Sequence, residues 1–171
     1  KMSTQLVTSY YLKAYDAYPF DLAETEEQLN YALAYDPEHI PSLCLKSQYY
    51  LHMLNWPKEA KDAAEQAMAI DPENACAAAA LMDSLIALQL YSEALNLLNY
   101  ITSKSLFKPL YTYWYMFKIM ELKGCLKISI NYCKMLLQYV ENEAQQNAID
   151  LSLKRLKMKQ KAKVKAKASK A

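Results

Sequence analysis

The 171-residue chain contains one glycine, Gly124. Hairpin turns and phosphate-cradling loops need glycine where the backbone takes a positive φ or approaches a ligand closely. Its scarcity argues against a β-rich fold. It also excludes loops of the G-x-x-x-x-G-K-S/T and G-x-G-x-x-G kinds. The imidazoles are His39 and His52 alone, and the four cysteines (Cys44, Cys76, Cys125 and Cys133) show no C-x-x-C spacing. That is a poor zinc set, so reduced thiols packed in helices are expected, with no metal and no cofactor. No stretch approaches the roughly 20 apolar residues of a membrane span. The opening KMSTQLVTSYYLKAY has no long apolar run before a small-residue cleavage site, so no membrane partner and a cytoplasmic location are expected.

What is plentiful points one way. Hydrophobic residues make up 53% of the chain, which rules out a wholly disordered polymer. Ala, Leu, Lys, Glu, Gln and Met dominate, and these lose little entropy on entering a helix. The composition reads as all-α. Charge is unevenly divided: residues 1–153 carry 11 basic and 18 acidic side chains, a net of −7, while 154–171 carry nine basic and none acidic.

Two fragments, LAYDPEH and MAIDPEN, place Pro37 and Pro72 thirty-five residues apart. A period of that size has to be read before secondary structure, because it marks stacked repeats. Ahead of Pro72, Ala60, Ala63, Ala64 and Ala67 fall at i, i+3, i+4 and i+7, one face of a helix. Leu29, Ala32 and Leu33 do the same ahead of Pro37. Proline disfavours the α conformation in the residue before it, so Asp36 and Asp71 are expected to end helices. Asn74 then caps the next helix, and Pro41 is tolerated in a first turn. The run PSLCLKSQYYLHMLN supplies the intervening helix, closed by the turn at Asn55–Pro57. In the third unit Leu81, Leu85 and Leu88 stripe one helix and Ala94, Leu98 and Ile101 the other. In the fourth, LYTYWYMFKIMELKG stops at Gly124, with CLKISINYCKMLLQYV as its partner.

The expected fold is therefore an all-α solenoid of about four antiparallel helical hairpins, at about 3–37, 38–72, 73–106 and 107–140. A capping helix from 141 follows, with Ala144, Ala148, Leu151 and Leu153 on or near its buried stripe. The Lys-rich tail is expected at 154–171. One such hairpin cannot bury its apolar stripe alone, so neighbours must stack.

These residues resemble the tetratricopeptide repeat family over about 3–140. Ala60, Ala64, Ala67 and Pro72 take the family's later signature places. Leu81, Tyr91, Glu93, Ala94 and Leu98 match in the third unit, and Ser47 and Tyr50 in the second. The family's glycine is missing from every unit but the fourth. The resemblance implies a non-enzymatic protein–protein interaction module, in which the first helices of each pair line a concave groove. Cys44, Gln48 and Leu51 would line it in the second unit, Ala79, Asp83 and Ile86 in the third, and Tyr113, Phe117 and Met120 in the fourth. Such a groove is apolar and suits a partner's amphipathic helix or extended peptide. Some members grip a carboxyl terminus with Lys, Arg and Asn; the matching places here hold Pro41, Cys44, Cys76, Ala79 and Asp83. None is basic, which excludes that mode. Tyr111, Tyr113, Trp114, Tyr115 and Phe117 cannot all face one side of a helix, so some rings must point away from the core. Self-association through them is a further expectation.

The tail offers an alternative. Lys157, Lys159, Lys161, Lys163, Lys165 and Lys167 alternate with small or apolar residues. A two-residue step turns a helix by about 200°, so these charges ring the axis and make no membrane-binding face. Nine positive charges would neutralise several phosphates, and the alternative function is a nucleic-acid-associated protein with an electrostatic arm. The plainer readings are a solvated, partly disordered tail, or one that folds back on the acidic body. No catalytic residue is expected: His39 sits in a turn beside Glu38, His52 near a helix end, and neither has a nucleophile setting. Glu24, Glu26 and Glu27 read as a solvated helix face.

Overall fold

The structure, a computed structural model, describes the backbone of residues 2–168 and the side chains of residues 4–165. Nine α-helices and no strand occur among the described residues. The chain divides into two compact units, one up to Leu106 and one from Phe107 on.

The first unit comprises α1 (Met2–Ala17), α2 (Leu22–Tyr35), α3 (Ile40–His52), α4 (Pro57–Ile70), α5 (Ala75–Ala87) and α6 (Tyr91–Ser103). They pair as α1–α2, α3–α4 and α5–α6, and α4 also packs on α5. The D-P punctuation works as the sequence suggests. Helices α2 and α4 end at Tyr35 and Ile70, and Asp36 (φ −145°, ψ 94°) and Asp71 (φ −139°, ψ 96°) are extended. In both turns the Asp carboxylate accepts the N–H two residues on, from Glu38 and Glu73, at 3.0 Å. The Asp carbonyls accept from His39 and Asn74 at 3.2 Å. Equal local sequence has produced equal local geometry.

The turns inside the hairpins are less ordinary. Asn55, Gln89 and Gly124 follow α3, α5 and the first helix of the second unit, at φ 55°, 60° and 74°. Ser105, after α6, has φ 54°. Beyond Gln89, Ser105 and Gly124 the next N–H reaches back to the carbonyl five residues earlier, as Leu90 to Leu85, Leu106 to Ile101 and Cys125 to Met120. This is the Schellman end, which normally places glycine in the left-handed position. Gln89 and Ser105 do the same at a steric cost of about 1–2 kcal/mol each.

Small residues make the first unit's core. Ala60, Ala63, Ala64 and Ala67 on α4 and Ala77, Ala78 and Ala80 on α5 are all buried. The absence of longer side chains lets those helices approach closely. Buried Ser47 donates to the Ala60 carbonyl at 2.8 Å and so ties α3 to α4. Larger groups fill the space around Ala14, Leu29, Leu45 and Tyr49.

The second unit comprises α7 (Pro109–Leu122), α8 (Leu126–Leu136), a 3-10 turn (Leu137–Tyr139) and α9 (Glu143–Ala168). Its core is Phe117, Ile130, Cys133, Leu136, Leu153 and Leu156. Buried Ser129 donates to the Phe117 carbonyl at 3.0 Å, tying α8 to α7. Two expectations are corrected here. Leu153 is buried as expected, joined by Leu156 and the half-buried Ile149, whereas Ala144, Ala148 and Leu151 are exposed, Leu151 by 68%. Both sets have helical spacing, and the set with more apolar area to remove from water is the one buried. Helix α9 also crosses position 154 without a break. Leu156, fully buried beyond that point, carries the helix on into the basic stretch.

Candidate functional site

In the first unit the start of α3, the start of α5 and the middle of α1 face a common hollow of about 280 Å³. Each wall follows from local sequence. Asn74 caps α5 by accepting the N–H groups of Cys76 and Ala77 at 3.0 and 3.1 Å. This cap fixes where α5 begins and sets Cys76 in its first turn. His39 precedes α3, its Nδ1 lying 2.8 Å from the Ser42 hydroxyl. The Tyr11 ring meets the His39 ring edge-on at 5.5 Å and leans on Tyr15 at 6.1 Å.

The lining of this hollow carries no carboxylate, ammonium or guanidinium. Ile40, Pro41 and Leu45 give apolar walls, and Tyr11, Gln48 and Asn74 give polar contacts. Burial raises the Tyr11 hydroxyl's pKa, so the phenol stays a neutral donor. Burial also lowers that of His39 against an opposing pull from Asp36, leaving a neutral ring beside the site.

Two cysteines share the hollow. Cys44 on α3 is 2% exposed, while Cys76 on α5 is open to solvent. A hydrogen bond from the Cys44 thiol lowers Cys76 to about 7, against the effect of its own burial. The same contact, together with burial, pushes Cys44 far above the ordinary thiol range. Cys133, in the second unit, is pushed up to about 11 by burial.

The structure sorts the residues expected in a groove. Cys44 and Gln48 line the hollow. Leu51, Asp83 and Ile86 do not line it, and Ile86 is buried. In the second unit Phe117 is a core residue, which corrects its expected place at an accessible surface. Tyr113 is half-buried, with ring centroids 6.2 Å from Tyr132 and 5.6 Å from Tyr139. Met120 is also half-buried. The rings that do point outward are Tyr111 and Trp114, with the Lys118 ammonium 4.6 Å from the Trp114 ring. Tyr11, Tyr15 and Cys76 were missed as lining residues. The first hairpin is hard to place ahead of Leu29, and repeat arithmetic sets Ala79, not Cys76, opposite Cys44.

The lysines of α9 also divide. Arg155 and Lys159 clasp the Glu121 carboxylate at 2.7 and 2.6 Å, and Lys163 donates to the Gly124 carbonyl at 3.1 Å. These positions recur every four residues and so form one row. Lys157, Lys161 and Lys165 make a second, exposed row about 200° away. The charges thus form two rows rather than an even ring. The side chain of Lys167 lies outside the described residues. No cluster of three or more His, Cys, Asp or Glu that could hold a metal occurs among the described residues. No helix there is long and apolar enough to cross a membrane.

In the first unit, paired antiparallel helices of near-equal length, repeated with Asp-Pro endings and an alanine seam, form an all-α repeat of the tetratricopeptide type. Residues 56–105 match the family described as Tetratricopeptide repeat, a stretch that spans α4, α5 and α6. A solved structure of Pseudomonas aeruginosa pilF superimposes with a TM-score of 0.77, covering 98% of this chain and 75% of that one at 18% identity. At that identity the likeness is one of fold. No curated protein matches the chain in sequence. Tetratricopeptide repeats are, as a class, protein-interaction scaffolds rather than enzymes.

Proposed function

We propose that the chain is a non-enzymatic protein-interaction module that seats a short apolar segment of a partner protein in the hollow between α1, α3 and α5. The observation that carries this reading is the lining itself. It is largely apolar and holds no carboxylate, ammonium or guanidinium, with Tyr11, Gln48 and Asn74 offering polar groups to a peptide backbone. Its 280 Å³ is below the usual range of small-molecule pockets, roughly 300–1,000 Å³, and suits one or two side chains of a longer segment. The lack of basic groups disfavours a terminal carboxylate as the anchor.

The test is selection of displayed random peptides on the full chain, followed by titration of the winners. Enriched sequences should be apolar and uncharged. Gln48→Trp, which fills the hollow from an exposed position, should weaken them by about tenfold or more, equal to about 1.4 kcal/mol. Enrichment of acidic peptides, or binding indifferent to Gln48→Trp and Tyr15→Ala, would overturn the assignment.

A further inference from the structure

The pair of sulfurs in the hollow has no part in the reading above. Helix α3 packs directly on α5, and Cys44 and Cys76 line the same hollow of about 280 Å³ at that contact. They differ in access: Cys76 faces solvent in the first turn of α5, while Cys44 lies behind it and is buried. An accessible sulfur and a buried one lining the same small hollow have the layout of an attacking and a resolving thiol. We propose that Cys76 and Cys44 form a thiol–disulfide exchange site, in which Cys76 attacks a low-molecular-weight disulfide and Cys44 resolves the adduct into an intramolecular bridge.

The chemistry balances without a further reagent. The Cys76 thiolate attacks one sulfur of RS–SR, forming a protein mixed disulfide and expelling RS⁻, which takes up a proton. Cys44 then loses its proton and attacks the Cys76 sulfur, breaking the mixed disulfide and expelling the second RS⁻, which is protonated in turn. Two protein thiols are oxidised by two electrons, and one small disulfide is reduced to two small thiols.

Three features favour the first step at Cys76. The positive end of the α5 dipole, the Cys44 S–H and the solvent opening all stabilise or expose the thiolate. A thiol titrating near ambient pH is the best attacking group, since a lower value costs nucleophilicity and a higher one costs thiolate. This inference is independent of peptide seating, because its readout is the sulfur chemistry alone.

The probe is oxidised glutathione added to the full chain, with alkylation and peptide mapping over time. The expected product is a Cys44–Cys76 bridge that carries no glutathione, with Cys125 and Cys133 still alkylatable. Cys44→Ala should stop at a stable glutathione adduct on Cys76, and Cys76→Ser should form no bridge. Cys76 in the intact chain should react faster than a cysteine in an unstructured peptide. A wild-type chain that ends as a lasting mixed disulfide, or one modified first at Cys125, overturns the proposal. Circular dichroism of each variant separates loss of reactivity from loss of fold.

Discussion

Every buried side chain of α4 is alanine and the start of α5 adds more, with Ala60, Ala64, Ala67, Ala77 and Ala78 almost wholly excluded from water. Between α7, α8 and α9 they are Phe117, Ile130, Leu136, Leu153 and Leu156. Alanine seams stabilise by close approach of helix backbones and leave the larger side chains of α1 and α3 free to wall a hollow. Large residues stabilise by area, and in the second unit they pack a core of their own, with Tyr113 stacked on Tyr132 and tilted against Tyr139. The same hairpin plan therefore gives one unit a hollow of about 280 Å³ without carboxylate, ammonium or guanidinium, and the other a packed core beside a Lys-rimmed hollow of about 400 Å³ between α8 and α9. In the second unit, Arg155, Lys159 and Lys163 of the basic helix are also committed to Glu121 and the end of α7.

The comparison can be broken most decisively at the cores. Leu156→Ala, in a fully buried position, should cost about 2–5 kcal/mol by loss of area and cavity formation. It should speed amide exchange in α8 and α9, read by denaturant titration with hydrogen exchange. Ala64→Leu should destabilise for the opposite reason, by about 1–3 kcal/mol of overpacking. If Ala64→Leu were neutral, the alanine seam would not be a close contact.

Next in size are the Schellman turns. Gln89→Gly should stabilise the first unit by about 1 kcal/mol, because glycine takes a positive φ without strain. Gly124→Ala should destabilise the second by a similar amount. Its new Cβ meets nothing closer than Lys163 Nζ at 3.5 Å, so the cost lies in the backbone at φ 74°. Thermal melts of the two variants should shift in opposite directions. Glu121→Gln should cost roughly 1 kcal/mol or less, since Arg155 and Lys159 are half exposed. Its effect should shrink as salt rises.

The smallest effect concerns pH. His39 titrates lower in the folded chain than in the unfolded one, chiefly through burial. Its neutral form is favoured by folding, so stability should be undiminished above about pH 6.5, the ordinary imidazole value, and fall as pH drops below it. Replacing His39 with Asn should flatten that part of the stability profile. An unchanged slope between pH 7 and 5 would show that the ring is not held neutral.

Much of the helix plan was legible from residues 2–140 alone. Proline after Asp36 and Asp71, Asn74 as a cap and Gly124 as a stop act within a few residues, so the sequence states them directly. The 35-residue spacing then implied stacking, because no single hairpin hides its apolar face. Other questions depended on contacts between distant segments. Ile149, Leu153 and Leu156 compete with Ala144, Ala148 and Leu151 for the buried side of α9, and only the cavity offered by α7 and α8 selects between them. Repeat arithmetic cannot bring Cys76 to Cys44 or Tyr11 to His39, since the offset of one helix along the next is set by packing rather than by period. Local chemistry thus determined where helices begin and end, and tertiary structure decided which of their faces, and which two sulfurs, meet.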